Sequence, residues 1–256
     1  MDIEKLIEDF VVDGYVIFNV DEDPLINQVN LDIESLLKSG MYKKNSRIYE
    51  YNEYPRIVES WKHSQSCLKL SLNDRCVNFL IALGRGQPLA FSTINFLHST
   101  EQPLHSDLVH FGFRPANMLV GAWIALQDID PRSGPLCVVP GSHGWEIFEY
   151  ERLGMNPPTT LSEAKRMYQA YEGWIEEKIE KEGVQPLELN LSKGDCIIWD
   201  ANLLHGSPNC LDNSLHRKSQ VTHFTFDQHD YCYNPVFSKP SDNFFVKRKL
   251  EYIQND

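Results

Sequence analysis

A chain of 256 residues, 42% apolar and 23% charged, can bury a sizeable core and has none of the compositional bias of disordered or collagen-like proteins. Its net charge of -12 is poorly suited to neutralising phosphates, so nucleic acid is excluded as the expected partner. The longest apolar run, Met118 to Leu126, is too short to span a bilayer, and acids stand near the N-terminus where a signal peptide carries bases; a cytoplasmic location is the expectation.

Along the chain, Ile3, Leu6, Ile7 and Phe10 recur at helical spacing, with Gly14 as a stop and the β-prone run YVIFNV behind it. Asp23-Pro24 starts a second helix and Gly40 ends it. Residues 42 to 66 read as irregular and rich in Tyr, Asn, Lys and Arg. A helix over 73 to 83 is capped by Asn73 or Ser71 and ended by Gly84. From residue 89 the texture changes to short β-prone runs: LAFSTINFL, LVGAWIALQD, PLCVVPGS, LELNL, DCIIWD and QVTHFTF. Turn-prone groups separate them, as in a sandwich, jelly roll or barrel. Ala164, Met167, Tyr168, Tyr171, Ile175 and Ile179 interrupt this series with a helix from near Ser162 to Gly183. That helix suits either plain packing or a lid, as does the Tyr-rich stretch 42 to 66.

Six cysteines contain no C-x-x-C pair, so reduced, partly buried thiols are expected. The chemistry is concentrated elsewhere. In PLHSDLVHF (103 to 111), an extended chain would turn His105 and Asp107 to one side. His205 follows an apolar strand and precedes Gly206-Ser207-Pro208, where a turn would present it. Two imidazoles and one carboxylate form the facial set of non-haem Fe(II) oxygenases, and the same donors would serve zinc. The other histidines, including His110 and His223, are expected to be surface or hydrogen-bonded residues.

Four ordered stretches carry a resemblance: STINF (92 to 96), HSD (105 to 107), GPLCVVPGSH (134 to 143), and HGSPN (205 to 209) followed by Arg217. Together they resemble the phytanoyl-CoA dioxygenase family of Fe(II)/2-oxoglutarate-dependent oxygenases, over residues from about 90 to 226. The resemblance implies a mainly β fold with flanking helices, a double-stranded β-helix or cupin-like jelly roll. The first 85 residues match only loosely, and a single oxygenase domain over 1–256 is the expectation. This would comprise a helical and irregular region over 1–88, a jelly-roll core over 89–230 with a helical insertion about 160–183, and a tail over 231–256. The resemblance further implies that His105, Asp107 and His205 ligate Fe(II). Arg217, assisted by Ser207, would receive the distal carboxylate of the co-substrate 2-oxoglutarate. Asn95 and Trp123 would lie near it.

In many members the arginine stands eleven residues after the second histidine. Here that position is His216, and Arg217 is one further on. A one-residue insertion in CLDNSLH absorbs the difference, and a guanidinium suits a carboxylate better than a neutral imidazole does. The expected activity is hydroxylation of a small-molecule or metabolite-derived substrate by O2, with succinate and CO2 as co-products. A related halogenase would need a small residue where Asp107 stands. A non-enzymatic jelly-roll binding protein would tolerate loss of a ligand or of Arg217. A zinc hydrolase would not turn over 2-oxoglutarate.

Overall fold

The computed structural model describes residues 2–41, 55–207, 209–227, 231–233, 245–247 and 249–254. In chain order the elements are α1 (Ile3–Asp13), β1 (Tyr15–Asn19), α2 (Asp23–Lys38), β2 (Arg56–Val58), α3 (Gln65–Ser71), α4 (Asp74–Ala82), β3 (Pro88–Phe96) and α5 (Leu108–Phe111). There follow β4 (Leu119–Ala125), β5 (Cys137–Val138), α6 (Leu161–Glu182), β6 (Leu187–Glu188), β7 (Asp195–Asp200), β8 (His205–Gly206), β9 (Ser219–Phe226), β10 (Tyr231–Tyr233) and β11 (Phe245–Lys247).

The helix ends follow local chemistry. The Asp2 side chain accepts from the Lys5 N–H at the start of α1, and Gly14 closes that helix in the left-handed region. Asn73 caps α4. Thr160 and Glu163 form a reciprocal capping box on α6, which ends at left-handed Gly183.

Two antiparallel sheets form the body. The larger runs β1-β7-β4-β9-β3-β2 and the smaller β6-β5-β8. Period-two alternation sorts the large sheet's side chains onto two covered faces. Val120, Ala122, Ile124, Cys196, Ile198, Phe224 and Phe226 pack against α1 to α4 through Phe10, Ile26, Leu70 and Phe79. Trp123, Ala125, Ile197, Trp199 and Val221 turn inward, toward Val138 of the smaller sheet and Leu136 and Leu189 beside its strands. The site lies on this inner face. The fold is the cupin-like double-stranded β-helix expected from the sequence.

Several expectations need correction. Residues 1–88 are more than a helical and irregular prelude, because β1 and β2 form both edges of the large sheet. β1 pairs along its length with β7, from Tyr15 opposite Trp199 to Asn19 opposite Asp195. Within the stretch 42 to 66, residues 42–54 lie outside the described residues. The remainder is ordered: β2 pairs with β3, and Ser64 caps the unforeseen helix α3 by accepting from the Cys67 N–H. The tail beyond 231 contributes the pair β10–β11, and Ile253 is buried with its N–H on the Ala90 carbonyl at 2.7 Å. Helix α6 buries Ala164, Met167, Tyr168, Tyr171 and Ile175 against Val109, Val139 and Leu204.

Candidate metal centre

His105 and His205 come together because their backbones form an isolated antiparallel bridge. Each N–H donates to the other's carbonyl at 2.9 Å. Facing residues of such a pair direct their side chains to the same face, so two imidazoles a hundred positions apart become neighbours. Gly206 permits the approach: a Cβ there would meet the Gln102 carbonyl oxygen at 2.8 Å. The P-G-S-H turn holds the other side of β8. The Leu204 N–H donates to Ser142 Oγ at 2.8 Å, and the Val139 N–H donates to the Leu204 carbonyl at 2.8 Å.

Asp107 arrives differently from the sequence expectation. The segment 103 to 111 is no strand. The chain leaves its bridge at His105, bends, and enters α5 with Asp107 in helical conformation at its N-cap position. The Ser106 N–H donates to the Tyr171 hydroxyl of α6 at 2.7 Å, and left-handed Gly112 ends the short helix. A helical turn, rather than strand alternation, brings the carboxylate beside the histidines.

The donor atoms of His105, Asp107 and His205 lie within 4.8 Å of one another, and all three residues are buried. Their remaining atoms are already committed. His105 Nδ1 lies 2.9 Å from the Pro103 carbonyl, and His205 Nδ1 lies 3.0 Å from the Leu203 carbonyl. A carbonyl only accepts, so each Nδ1 carries the proton and each Nε2 offers a lone pair. Trp199 Nε1 donates to Asp107 Oδ2 at 2.7 Å, while Asp107 Oδ1 lies 3.7 Å from His205 Nε2. Burial and the neighbouring imidazoles push His105 well below the usual histidine range, and burial lowers His205 as well. Burial alone would raise the Asp107 carboxyl. The imidazoles of His205 and His223 outweigh it and hold the group below the usual carboxylate range. Two neutral imidazoles and an ionised carboxylate are the protonation states that ligation requires.

The cluster opens into a cavity of about 440 Å³, within the range of small-molecule sites. Its walls include Ile94, Phe96, Phe111, Trp123 and Val221, and its charged groups include Arg56 and Arg217. Arg217 is 2% exposed, so its guanidinium has left water. Burial lowers it only to about 10, so it is charged at neutral pH. Its Nη1 donates to Ser207 Oγ at 3.0 Å, and its Nε has no hydrogen-bond partner among the described residues. Among the described residues no carboxylate pairs with it. Its Cζ lies 5.9 Å from the Trp123 ring centre. His216 is exposed, and its ring stands 4.7 Å from that of His98, outside the cavity lining. Arg217, Ser207 and Trp123 therefore share the cavity with the three metal-capable residues.

Asn95 does not. On β3, Ile94 and Phe96 face the cavity, so Asn95 between them faces the helices. Its amide donates to Gln220 at 3.1 Å and its oxygen accepts from the Ser60 hydroxyl. The expected co-substrate contact at Asn95 is withdrawn for that reason. Trp199, His110 and His223 were missed as cavity residues. His223 Nε2 lies 3.6 Å from Asp107 Oδ2. For His223 the missed signal was parity along β9, where it stands two residues beyond Val221 and shares that residue's cavity face.

The phytanoyl-CoA dioxygenase (PhyH) family model matches residues 49–217. Peroxisomal phytanoyl-CoA dioxygenase of Bos taurus is 31% identical over 133 residues, covering 49% of this chain and 34% of that protein. The Rattus norvegicus enzyme is 30% identical over 166 residues, covering 65% of this chain and 42% of that protein. The chain thus spans well under half the length of these relatives. Among solved structures, SnoK, described as a non-heme alpha ketoglutarate dependent carbocyclase from nogalamycin biosynthesis, superposes with a TM-score of 0.69 at 15% identity, over 94% of each chain. EctD from S. alaskensis with bound Fe gives 0.60 at 18% identity, over 92% of this chain and 79% of its own. No helix among the described residues is long and apolar enough to cross a membrane. The family match runs from residue 49 through HSD and HGSPN to Arg217, spanning both halves of the His-Asp-His cluster, and the chain belongs to the phytanoyl-CoA dioxygenase family.

Proposed function

We propose that this protein is an Fe(II)- and 2-oxoglutarate-dependent dioxygenase that hydroxylates a small-molecule substrate. The observation that carries the proposal is Arg217: a buried, charged guanidinium without a described acidic partner, facing the same cavity as His105, Asp107 and His205. A charge so removed from water requires an anion, and a dicarboxylate supplies one at the far end of a metal-chelating group. His105 Nε2, His205 Nε2 and Asp107 Oδ1 would hold the iron. Bound iron would supply the redox chemistry that joins O2 cleavage to co-substrate decarboxylation, giving succinate and CO2.

The chain's own groups do the rest. Arg217 and Ser207 would bind and orient the distal carboxylate, with Trp123 flanking the guanidinium. The backbone carbonyls of Pro103 and Leu203 fix both histidine tautomers. The aromatic and aliphatic walls exclude water from the reacting centre. The relatives' names suggest an acyl-CoA thioester as one substrate to try. The apolar cavity also suits a smaller, largely apolar metabolite. The test is anaerobic loading with Fe(II) and 2-oxoglutarate, then exposure to O2 across a metabolite panel scored by succinate release. Succinate formed in step with a hydroxylated product supports the reading. Iron-loaded protein that never consumes 2-oxoglutarate overturns it.

A further inference from the structure

Trp199 touches two of the three metal-capable residues at once. Its Nε1 donates to Asp107 Oδ2 at 2.7 Å, and its ring lies 4.5 Å from that of His205 at 37°. The indole is 2% exposed, with Asp107 at 4% and His205 at 5%, so the hydrogen bond has little competition from water. The room for it comes from the neighbouring strand. Gly121 of β4 pairs with Trp199 of β7, and a Cβ on Gly121 would meet Cε2 at 2.5 Å, Cζ2 at 2.6 Å and Nε1 at 2.7 Å. Those are ring atoms of a packed side chain, with no flexible end to give way. A glycine in the middle of a central strand weakens it, and close approach is a reason to keep one.

We infer that Trp199, admitted by Gly121, is a positioning residue that limits Asp107 to a one-oxygen ligand. This rests on the metal-site reading above. With Oδ2 occupied by the indole N–H, Oδ1 is the oxygen left facing His205 Nε2. A carboxylate bound through one oxygen leaves a coordination position that a two-oxygen grip would consume. The tilted ring packed against His205 also restrains the imidazole plane. Gly121, Trp199, Asp107 and His205 thus link β4 through β7 to α5 and β8.

Two measurements test this without turnover. Anaerobic calorimetric titration with Fe(II) compares the unmodified chain with W199F, which keeps an aromatic ring and removes the donor. Outer partners of metal ligands typically contribute about 10- to 100-fold in affinity, and a loss of that size is expected. G121A should lose affinity similarly by displacing the indole. The double variant should match W199F alone, because both changes act through one group. The second measurement needs no change at Trp199. Among the 15N-labelled indole signals of the metal-free protein, D107A removes the acceptor, so one indole N–H should lose exchange protection. If the unmodified chain binds no Fe(II), the metal reading falls and this inference with it. If the unmodified chain binds and W199F binds within twofold, this inference alone is overturned. Where W199F does not fold, unchanged indole signals in D107A overturn it.

Discussion

His105 and His205 exchange both of their backbone hydrogen bonds, each at 2.9 Å, although a hundred residues separate them in the chain. The pairing fixes the imidazoles' relative position before any metal arrives. Asp107 is then delivered by the turn that follows the first of the pair, and Trp199 by the strand that leads to the second. The site is therefore a preorganised pocket on a fold with its own apolar core between sheet and helices.

Removing any one of the three proposed ligands should leave that core intact. His105→Ala, Asp107→Ala and His205→Ala should each weaken Fe(II) binding by more than the roughly 100-fold upper range for outer partners. Circular dichroism and melting should keep a cooperative folded state. Metal content unchanged in all three variants would contradict the site, and a collapsed fold in Asp107→Ala would point to a structural carboxylate.

Gly206→Ala tests the backbone pairing itself. The new methyl would sit 2.8 Å from the Gln102 carbonyl oxygen, which is backbone and cannot swing aside. Overpacking of this kind costs about 1–3 kcal/mol. Thermal unfolding should show that loss together with weaker iron binding. Wild-type melting and wild-type affinity would mean that the His105–His205 bridge tolerates being pushed apart.

Arg217→Ala should raise the 2-oxoglutarate requirement by roughly 30- to several-thousand-fold, since truncating one partner of a desolvated charge pair costs about 2–5 kcal/mol. Fe(II) affinity should change little. His216→Ala, on the exposed side of the loop, should stay within about twofold of wild type. The reverse ranking of the two variants would place the co-substrate on the wrong side of the loop for this account.

The buried imidazoles also set a pH dependence. Burial lowers His105 and His205, and lowers His110 to about 3, while an unfolded chain protonates histidine near 6.5. Below about pH 6.5 the unfolded state therefore binds more protons than the folded state. Stability rises with pH through that window and falls as pH drops. Asp107 acts in the same direction at lower pH: its contribution is present above the unfolded value near 3.9 and is lost as pH falls through the depressed folded value. Melting of the metal-free protein between about pH 8 and pH 5 should show the decline. His98 is lowered by burial as well, so His110→Asn should flatten the profile only in part. A flat wild-type profile would contradict the depressed imidazoles.

Much of the site was legible because motifs that present a side chain on a turn or strand end are local. HSD, P-G-S-H, HGSPN and the chemical preference for the Arg217 guanidinium over the His216 imidazole needed no long-range information. The strand at 119–125 was legible as an unbroken apolar run, because it is buried on both faces, and the helix at 161–182 was legible from periodicity, because it has one apolar stripe. What escaped depended on partners. Tyr15 to Asn19 becomes a sheet edge only because β7 lies beside it. Leu108 to Phe111 looks extended in sequence, yet Tyr171 catches the Ser106 N–H and turns the chain into a helix. Asn95 was placed in the cavity by analogy, whereas its register opposite Gln220 sends it to the helical side.

The most direct test of the central claim is an anaerobic crystal structure with Fe(II) and 2-oxoglutarate. The account predicts one iron held by His105, Asp107 and His205, the carboxylate through a single oxygen, with the far carboxylate of 2-oxoglutarate on Arg217 and Ser207. Iron held by other residues, or a 2-oxoglutarate carboxylate seated away from Arg217, would contradict it.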